Sequence, residues 1–241
     1  MNRRAQVSLL LLAAASGAVD ALAFTVLGTV FAGVMTGNLV LLGVAVGSGS
    51  GAQEGVAAPL YALGGYVVGA ALVARVCRGV REGTPWPGRV VAYLGVQTVV
   101  LAAVAAVAGV LGGHPDGAWR TVLLVASAVA MGGQSAAMVA AGSGAAPTTY
   151  FTGTLTTLVT GAADGTRRGA GQWWVVARLC AVAGGAAGGV AVHAGAPPWG
   201  FVSPALLTAA AVVCQKPAHR WRRAVTRIHR TPLHDTNNES H

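Results

Sequence analysis

The sequence predicts an all-α, polytopic transmembrane helix bundle, with about six crossings, two short re-entrant or broken Thr/Gly segments and an inverted internal repeat. Three observations carry this reading. Only 10% of the 241 residues are charged and 54% are hydrophobic, whereas an ordinary soluble domain carries about 25% charged residues. Too little charge is left to cover a water-soluble globule. The apolar residues also fall in runs near the length that crosses a bilayer, about 20 residues. Finally, all six tryptophans (86, 119, 173, 174, 199 and 221) lie at the ends of those runs or just beyond them, where an amphipathic ring meets the headgroups.

Apolar blocks fall at about 7–29, 31–47, 56–77, 90–111, 119–141, 148–163, 172–194 and 199–214. The first has the charged start of a secretory signal, Asn2-Arg3-Arg4, and a small-residue site at Ala21-Leu22-Ala23. Its apolar stretch runs on through Phe24-Thr25-Val26-Leu27, and everything downstream is membrane-like, so it reads as a retained first helix. The breaks between blocks hold loop signals: Gly47-Ser48-Gly49-Ser50-Gly51, Gly83 to Gly88 with two prolines, Gly112-Gly113-His114-Pro115-Asp116, and Ala196-Pro197-Pro198. A single transmembrane domain over 1–214 is expected, with a basic polar tail over 215–241.

Blocks 31–47 and 148–163 are short and rich in Thr and Gly, and charge placement tests whether they cross. If all eight blocks crossed from a cytoplasmic N-terminus, the loop with Arg78, Arg81 and Arg89 would lie outside, against the positive-inside rule. If these two blocks enter and leave on one side, that loop moves inside. So do Arg167, Arg168 and the cluster Lys216, Arg220, Arg222 and Arg223, while Glu54, Asp116 and Pro197-Pro198 fall outside. The expected protein is therefore a multi-pass protein of the cytoplasmic (inner) membrane with both termini cytoplasmic.

The two Thr/Gly blocks resemble each other. Phe31-Ala32-Gly33-Val34-Met35-Thr36-Gly37-Asn38-Leu39-Val40 can be laid on Pro147-Thr148-Thr149-Tyr150-Phe151-Thr152-Gly153-Thr154-Leu155-Thr156. Upstream, Ser16 to Ala21 stands in the same relation to Met131 to Ala136, and downstream Gly65-x-x-x-Gly69 echoes Gly184-x-x-x-Gly188. Halves of about 8–111 and 119–214 with three crossings each must run in opposite senses, an arrangement used by transporters.

The order Gly17-x-x-Asp20-Ala21, then Met35-Thr36-Gly37-Asn38, then Gly133-Gln134 and Tyr150-x-Thr152-Gly153-Thr154-Leu155, resembles the YoaK-like family of bacterial membrane proteins, a domain of unknown function. The resemblance covers nearly all of 8–214. It implies a six-span inner-membrane protein and supplies no substrate or reaction. One departure is Ser135, where the family pattern has Asn.

Asp20 is the strongest single signal, because it alone of seven acidic residues lies deep inside an apolar span. A carboxylate there costs about 2.5–3.5 kcal/mol on insertion scales and should face protein or water. It reads either as a proton or cation site or as a hydrogen-bonded group that fixes packing. Ser16, Asp20 and Phe24 share one helix face, and Gly17 lets another backbone approach. Gln134 takes the corresponding place in the second half. Thr36, Gly37 and Asn38, with Thr152, Gly153 and Thr154, would mark helix breaks whose ends offer amides or carbonyls to a solute or ion. Gly17, Gly65, Gly69, Gly184 and Gly188 are the expected close-packing positions. Gln97 is a weaker lining candidate. Arg178 reads as snorkelling to the headgroups.

No enzyme, cofactor or metal is expected. Gly-x-Ser-x-Gly, His-Glu-x-x-His and P-loop patterns are absent, and Cys77, Cys180 and Cys214 have no metal spacing. The net charge of +9 sits at the chain ends and in two loops, without a nucleic-acid motif. The partners expected are the lipid bilayer and a small solute or ion. A mass of 23.9 kDa is small for a lone transporter and allows for a homodimer. The function expected is a small secondary transporter or permease with a central polar site; a channel-like pore and a non-transporting scaffold are the alternatives.

Overall fold

The computed structural model describes residues 3–48, 53–79, 86–142, 156, 159–160 and 170–215. The chain forms α1 (Arg3–Val26), α2 (Met35–Gly47), α3 (Gln53–Val76), α4 (Gly88–Val110), α5 (Gly117–Ala141), α6 (Ala170–Gly195) and α7 (Val202–Gln215), with a 3-10 turn at Pro197–Trp199 before α7. No strand occurs among the described residues. α1, α3, α4, α5 and α6 have the length and hydropathy to cross a bilayer, and so does Pro197–Gln215, in which the 3-10 turn lengthens α7. That makes six candidate spans among the described residues, and α2 is not one of them. Most ends follow the loop signals. Pro87 precedes α4, Gly112 and Gly113 take positive φ after it, and Gly142 closes α5 at φ 110°. Most of the second Thr/Gly block, including Thr152, Gly153 and Thr154, and the basic tail after Gln215 lie outside the described residues.

Two helix pairs make the most extensive contacts, α1 with α6 and α3 with α5. Each approaches backbone to backbone at glycines. A Cβ on Gly17 would collide with the Val182 carbonyl, and one on Gly185 with the Ala14 carbonyl. In the other pair, Gly132 lies on the Tyr66 carbonyl and Gly69 on the Val129 carbonyl. The contacts advance together: Gly185 meets Ala14 and Gly189 meets Ala18, while Gly65 meets Val125 and Gly69 meets Val129. Each pair therefore runs parallel. This corrects one expectation. Gly184 and Gly188 are exposed, with nothing within 4 Å of an added Cβ, and the packing face of α6 is carried one residue on by Gly185 and Gly189. In a run of consecutive Gly-Gly pairs, a one-residue shift turns the chosen face by about 100°.

α4 packs on α5 and α7, and α7 packs on α1. Two apolar clusters fill the bundle. One gathers Leu22, Leu27, Leu101, Val104, Leu124 and Met131; the other gathers Leu9, Leu12, Val90, Leu94, Met138 and Ala211. In sequence, the buried Ser16, Gln97, Gln134 and Thr208 fall between the positions that feed the two clusters, and Asp20 sits among those that feed the first. Trp119, Trp173 and Trp199 are exposed at helix ends, as an interfacial belt requires. Trp86 departs from that pattern, being 5% exposed and packed into the second cluster.

α2 does not cross. Its 13 residues span roughly 20 Å, short of the ~30 Å hydrocarbon core. Leu27–Val30 after α1, Ser48 after α2, and Gly55, Ala58 and Tyr61 of α3 all line one cavity. Thus α3 starts at the face where α1 ends, and α2 returns to that face. Thr29→Cys and Ser48→Cys in a cysteine-free background should both react with an impermeant maleimide from the same side of sealed vesicles. Labelling from opposite sides would mean that α2 crosses. Gly69→Leu and Gly185→Leu should each lower stability by about 1–3 kcal/mol or more through overpacking, read as unfolding in detergent, with Gly184→Leu close to neutral.

Candidate functional site

The chain turns back after α1 through an unusual corner. Thr29 N–H donates to the Phe24 carbonyl at 3.1 Å, a six-residue closure typical of helix C-termini. Gly28 takes φ 135° and Thr29 φ 57°. The left-handed conformation at a non-glycine residue costs on the order of 1–3 kcal/mol, so other contacts must hold the corner. Phe31 stacks on Phe24 with ring centroids 5.2 Å apart. Asn38 grips the backbone of Phe31 from both sides: its Oδ1 accepts the Phe31 N–H at 2.9 Å, and its Nδ2 donates to the Phe31 carbonyl at 2.6 Å. Gly37 makes room for this, since a Cβ there would lie 2.9 Å from the Phe31 ring.

This returning segment delivers backbone amides to Asp20. The Gly33 N–H donates to Asp20 Oδ1 at 2.6 Å, with the amides of Ala32 and Val34 on either side of it near the carboxylate. Gly33 is confined on both sides; a Cβ there would stand 3.2 Å from Asp20 Oδ2 and 3.5 Å from the Met131 methyl. Val34 caps α2 without a side-chain hydrogen bond, so the positive end of that helix begins beside the carboxylate. Asp20 is 9% exposed and Ser16, one turn below, is 6% exposed. The buried charge is therefore met by the chain's own backbone.

A second polar group lies on α4 and α5. Gln97 Nε2 donates to Gln134 Oε1 at 2.6 Å. Both residues are almost wholly buried, and Gln97 Oε1 and Gln134 Nε2 have no partner. Gln134 is thus joined to Gln97 and makes no hydrogen bond to Asp20. Tyr93 donates to the Ala130 carbonyl at 2.7 Å, over the space left by Gly133. Ser135 bonds back to the Met131 carbonyl at 3.1 Å.

Of the residues expected from sequence, Asp20, Gly37 and Asn38 come together around the returning segment, while Thr36 is exposed on α2. Arg178 neither snorkels nor reaches Asp20. It is 5% exposed and donates through Nη2 to Gln6 Oε1 at 2.7 Å. The residues that complete the arrangement, Phe31, Gly33 and Gln97, carry little chemical signal alone. The only hint of Phe31 was an aromatic residue seven positions before Asn38. Among the described residues, no group of three His, Cys, Asp or Glu could hold a metal.

The arrangement is a latch: a carboxylate held by the Gly33 amide at the mouth of a short helix. Asn38→Ala should loosen it by about 1–3 kcal/mol through two lost hydrogen bonds. Amide hydrogen exchange at Phe31 and Gly33 should accelerate accordingly, with α4 and α7 unchanged. Unaltered exchange at both amides would show that the side chain is not what holds the segment.

The described geometry can be set beside known proteins. No solved structure matches the chain. The UPF0700 transmembrane protein YoaK of Bacillus subtilis (strain 168) is 34% identical over 157 residues, which is 65% of this chain and 66% of that protein. The match thus spans just under two thirds of the relative's length. The family model described as "Protein of unknown function (DUF1275)" matches residues 8–214, which run from within α1 to the penultimate residue of α7. The chain belongs to this YoaK-like family and is a multi-pass integral membrane protein.

Proposed function

We propose that the protein is a small secondary transporter of the inner membrane, with both termini cytoplasmic, in which Asp20 couples proton movement to passage of a small anion. The observation that carries this reading is the hydrogen bond from Gly33 to Asp20 at the start of a helix that does not cross. A carboxylate held there is a stand-in for a solute anion. Protonating Asp20 removes the charge that the amides hold and frees them, together with the positive end of α2, for an anion from outside. The cavity of about 610 Å³ that ends on Leu27–Val30, with Arg120 and Thr121 on its wall, supplies the approach.

The glycine contacts support an inverted repeat. Ala14 and Gly17 stand 115 residues before Val129 and Gly132, and Tyr66 and Gly69 stand 116 before Val182 and Gly185. Both carbonyl-on-glycine clasps join a helix of the first half to one of the second, and the repeat would carry the α1–α6 clasp onto the α3–α5 clasp. On this register Asp20 answers to Ser135 rather than to its neighbour Gln134, the counterpart expected from sequence, and the carboxylate has no charged counterpart, as a single coupling site requires.

A second reading has its own observation. The polar atoms of Asp20 and Asn38 are engaged by the loop between α1 and α2, which would suit a scaffold that only holds helices together. Proton uptake by proteoliposomes, measured across a panel of small anions, separates the two. A substrate-dependent proton signal in the wild type that is lost in Asp20→Asn is the expected result. No signal from either protein, with helicity and elution unchanged, would favour the scaffold.

A further inference from the structure

A groove runs along the bundle surface between α3 and α4, and neither Asp20 nor any residue of the segment that holds it lines it. It has a volume of about 420 Å³, and its walls include Leu72, Val76, Val96 and Val100, with Val129 of α5 at its floor. Gly69 brings α3 down onto the Val129 carbonyl, which sets the floor's depth. The two polar side chains that could have wetted it are turned inward: Tyr93 donates to the Ala130 carbonyl and Gln97 to Gln134. Its surface is therefore apolar, and Leu72, Val76 and Val96 are more than half exposed.

One end of the groove is different. Arg89 lines it. The guanidinium is pinned there, with Nη1 donating to the Val76 carbonyl at 3.1 Å and to the Arg78 carbonyl at 3.4 Å. The first is the last carbonyl of α3, which the helix itself cannot satisfy, and the second lies two residues beyond the helix end. A guanidinium carries five N–H donors, so holding two carbonyls through Nη1 does not exhaust it. Arg75 and Arg78 are exposed at the same end. A long apolar trough thus finishes in a fixed cationic mouth.

We infer that this groove binds one anionic phospholipid, with an acyl chain along Leu72, Val96 and Val100 and the headgroup phosphate on Arg89. The match is one of charge and polarity along a single axis. A zwitterionic lipid would bring its own cation against three arginines, and a second copy of the chain laid groove to groove would oppose arginine to arginine. A phosphate group suits the guanidinium because it accepts two parallel N–H bonds. The site is separate from the Asp20 latch and does not depend on whether the protein transports.

The test uses the full chain, purified from mixed micelles holding equimolar phosphatidylglycerol and phosphatidylcholine, with retained lipid counted by native mass spectrometry. The wild type should keep one phosphatidylglycerol, preferred by about fivefold for the Arg89 contact alone. Arg89→Ala should bring the preference to near parity, while Arg89→Lys, which keeps the charge, should retain most of it. Val96→Trp, which fills the groove, should release the lipid whatever its headgroup. Because Arg89 also holds the end of α3, unchanged helicity and elution are required of each variant, and the lysine variant serves where the alanine one fails that check. Equal retention of the two lipids by the wild type would overturn the inference. So would a phosphatidylglycerol preference that survives both Arg89→Ala and Val96→Trp, or a change from dimer to monomer in Val96→Trp with lipid retention unaltered, which would assign the groove to a second copy.

Discussion

Inside a hydrocarbon layer a carboxylate on a helix has no water to turn to, and neither does any backbone group that leaves its helix. The segment after α1 meets both demands with one arrangement. Its amides would be orphans if the chain returned alone, and Asp20 would be an uncompensated charge if α1 stood alone. Each completes the other through Gly33. Much of the rest follows. The corner at Gly28 and Thr29 is tolerated because it aims those amides, Asn38 is spent on Phe31 to hold the return in place, and α2 stays short because it starts from within the layer.

The helices around this feature are held by a different kind of contact. Where lipid tails are as apolar as leucine, burial gives helices little reason to prefer each other, and close backbone approach takes over. Gly17, Gly69, Gly132 and Gly185 supply it, each seated on a carbonyl of the neighbouring helix. Such contacts reward shape at a single register and leave the remaining faces to lipid. α6 shows this clearly, since Trp173 and Val192 are exposed while Gly189 is buried.

The parts legible in the sequence were those written in bulk properties. Span number, the short second block and the exceptional place of Asp20 follow from apolar run length and the position of a single charge. The register of α6 did not, because Gly184-Gly185 and Gly188-Gly189 offer two faces of equal composition and only the partner helix chooses between them. The latch was half legible. A buried carboxylate announces the need for a partner, but backbone amides carry no residue-type signal, so Gly33 could not be singled out. Gln97 and Gln134 were each visible as polar residues in apolar surroundings, while their pairing depends on how α4 is rotated against α5.

The separation in sequence between each contact and its partner has a consequence for biogenesis. The amide that covers Asp20 arrives only 13 residues after it, whereas the helix that covers Gly17 is centred near Val182. At ribosomal rates of roughly 5–20 residues per second, the first partner emerges within a few seconds and the second many seconds later. The nascent α1 therefore enters the bilayer with its charge already screened by its own hairpin, and can wait there as an independent unit. Its glycine face stays open to lipid, or to chaperoning by the insertion machinery, until the last third of the chain is made.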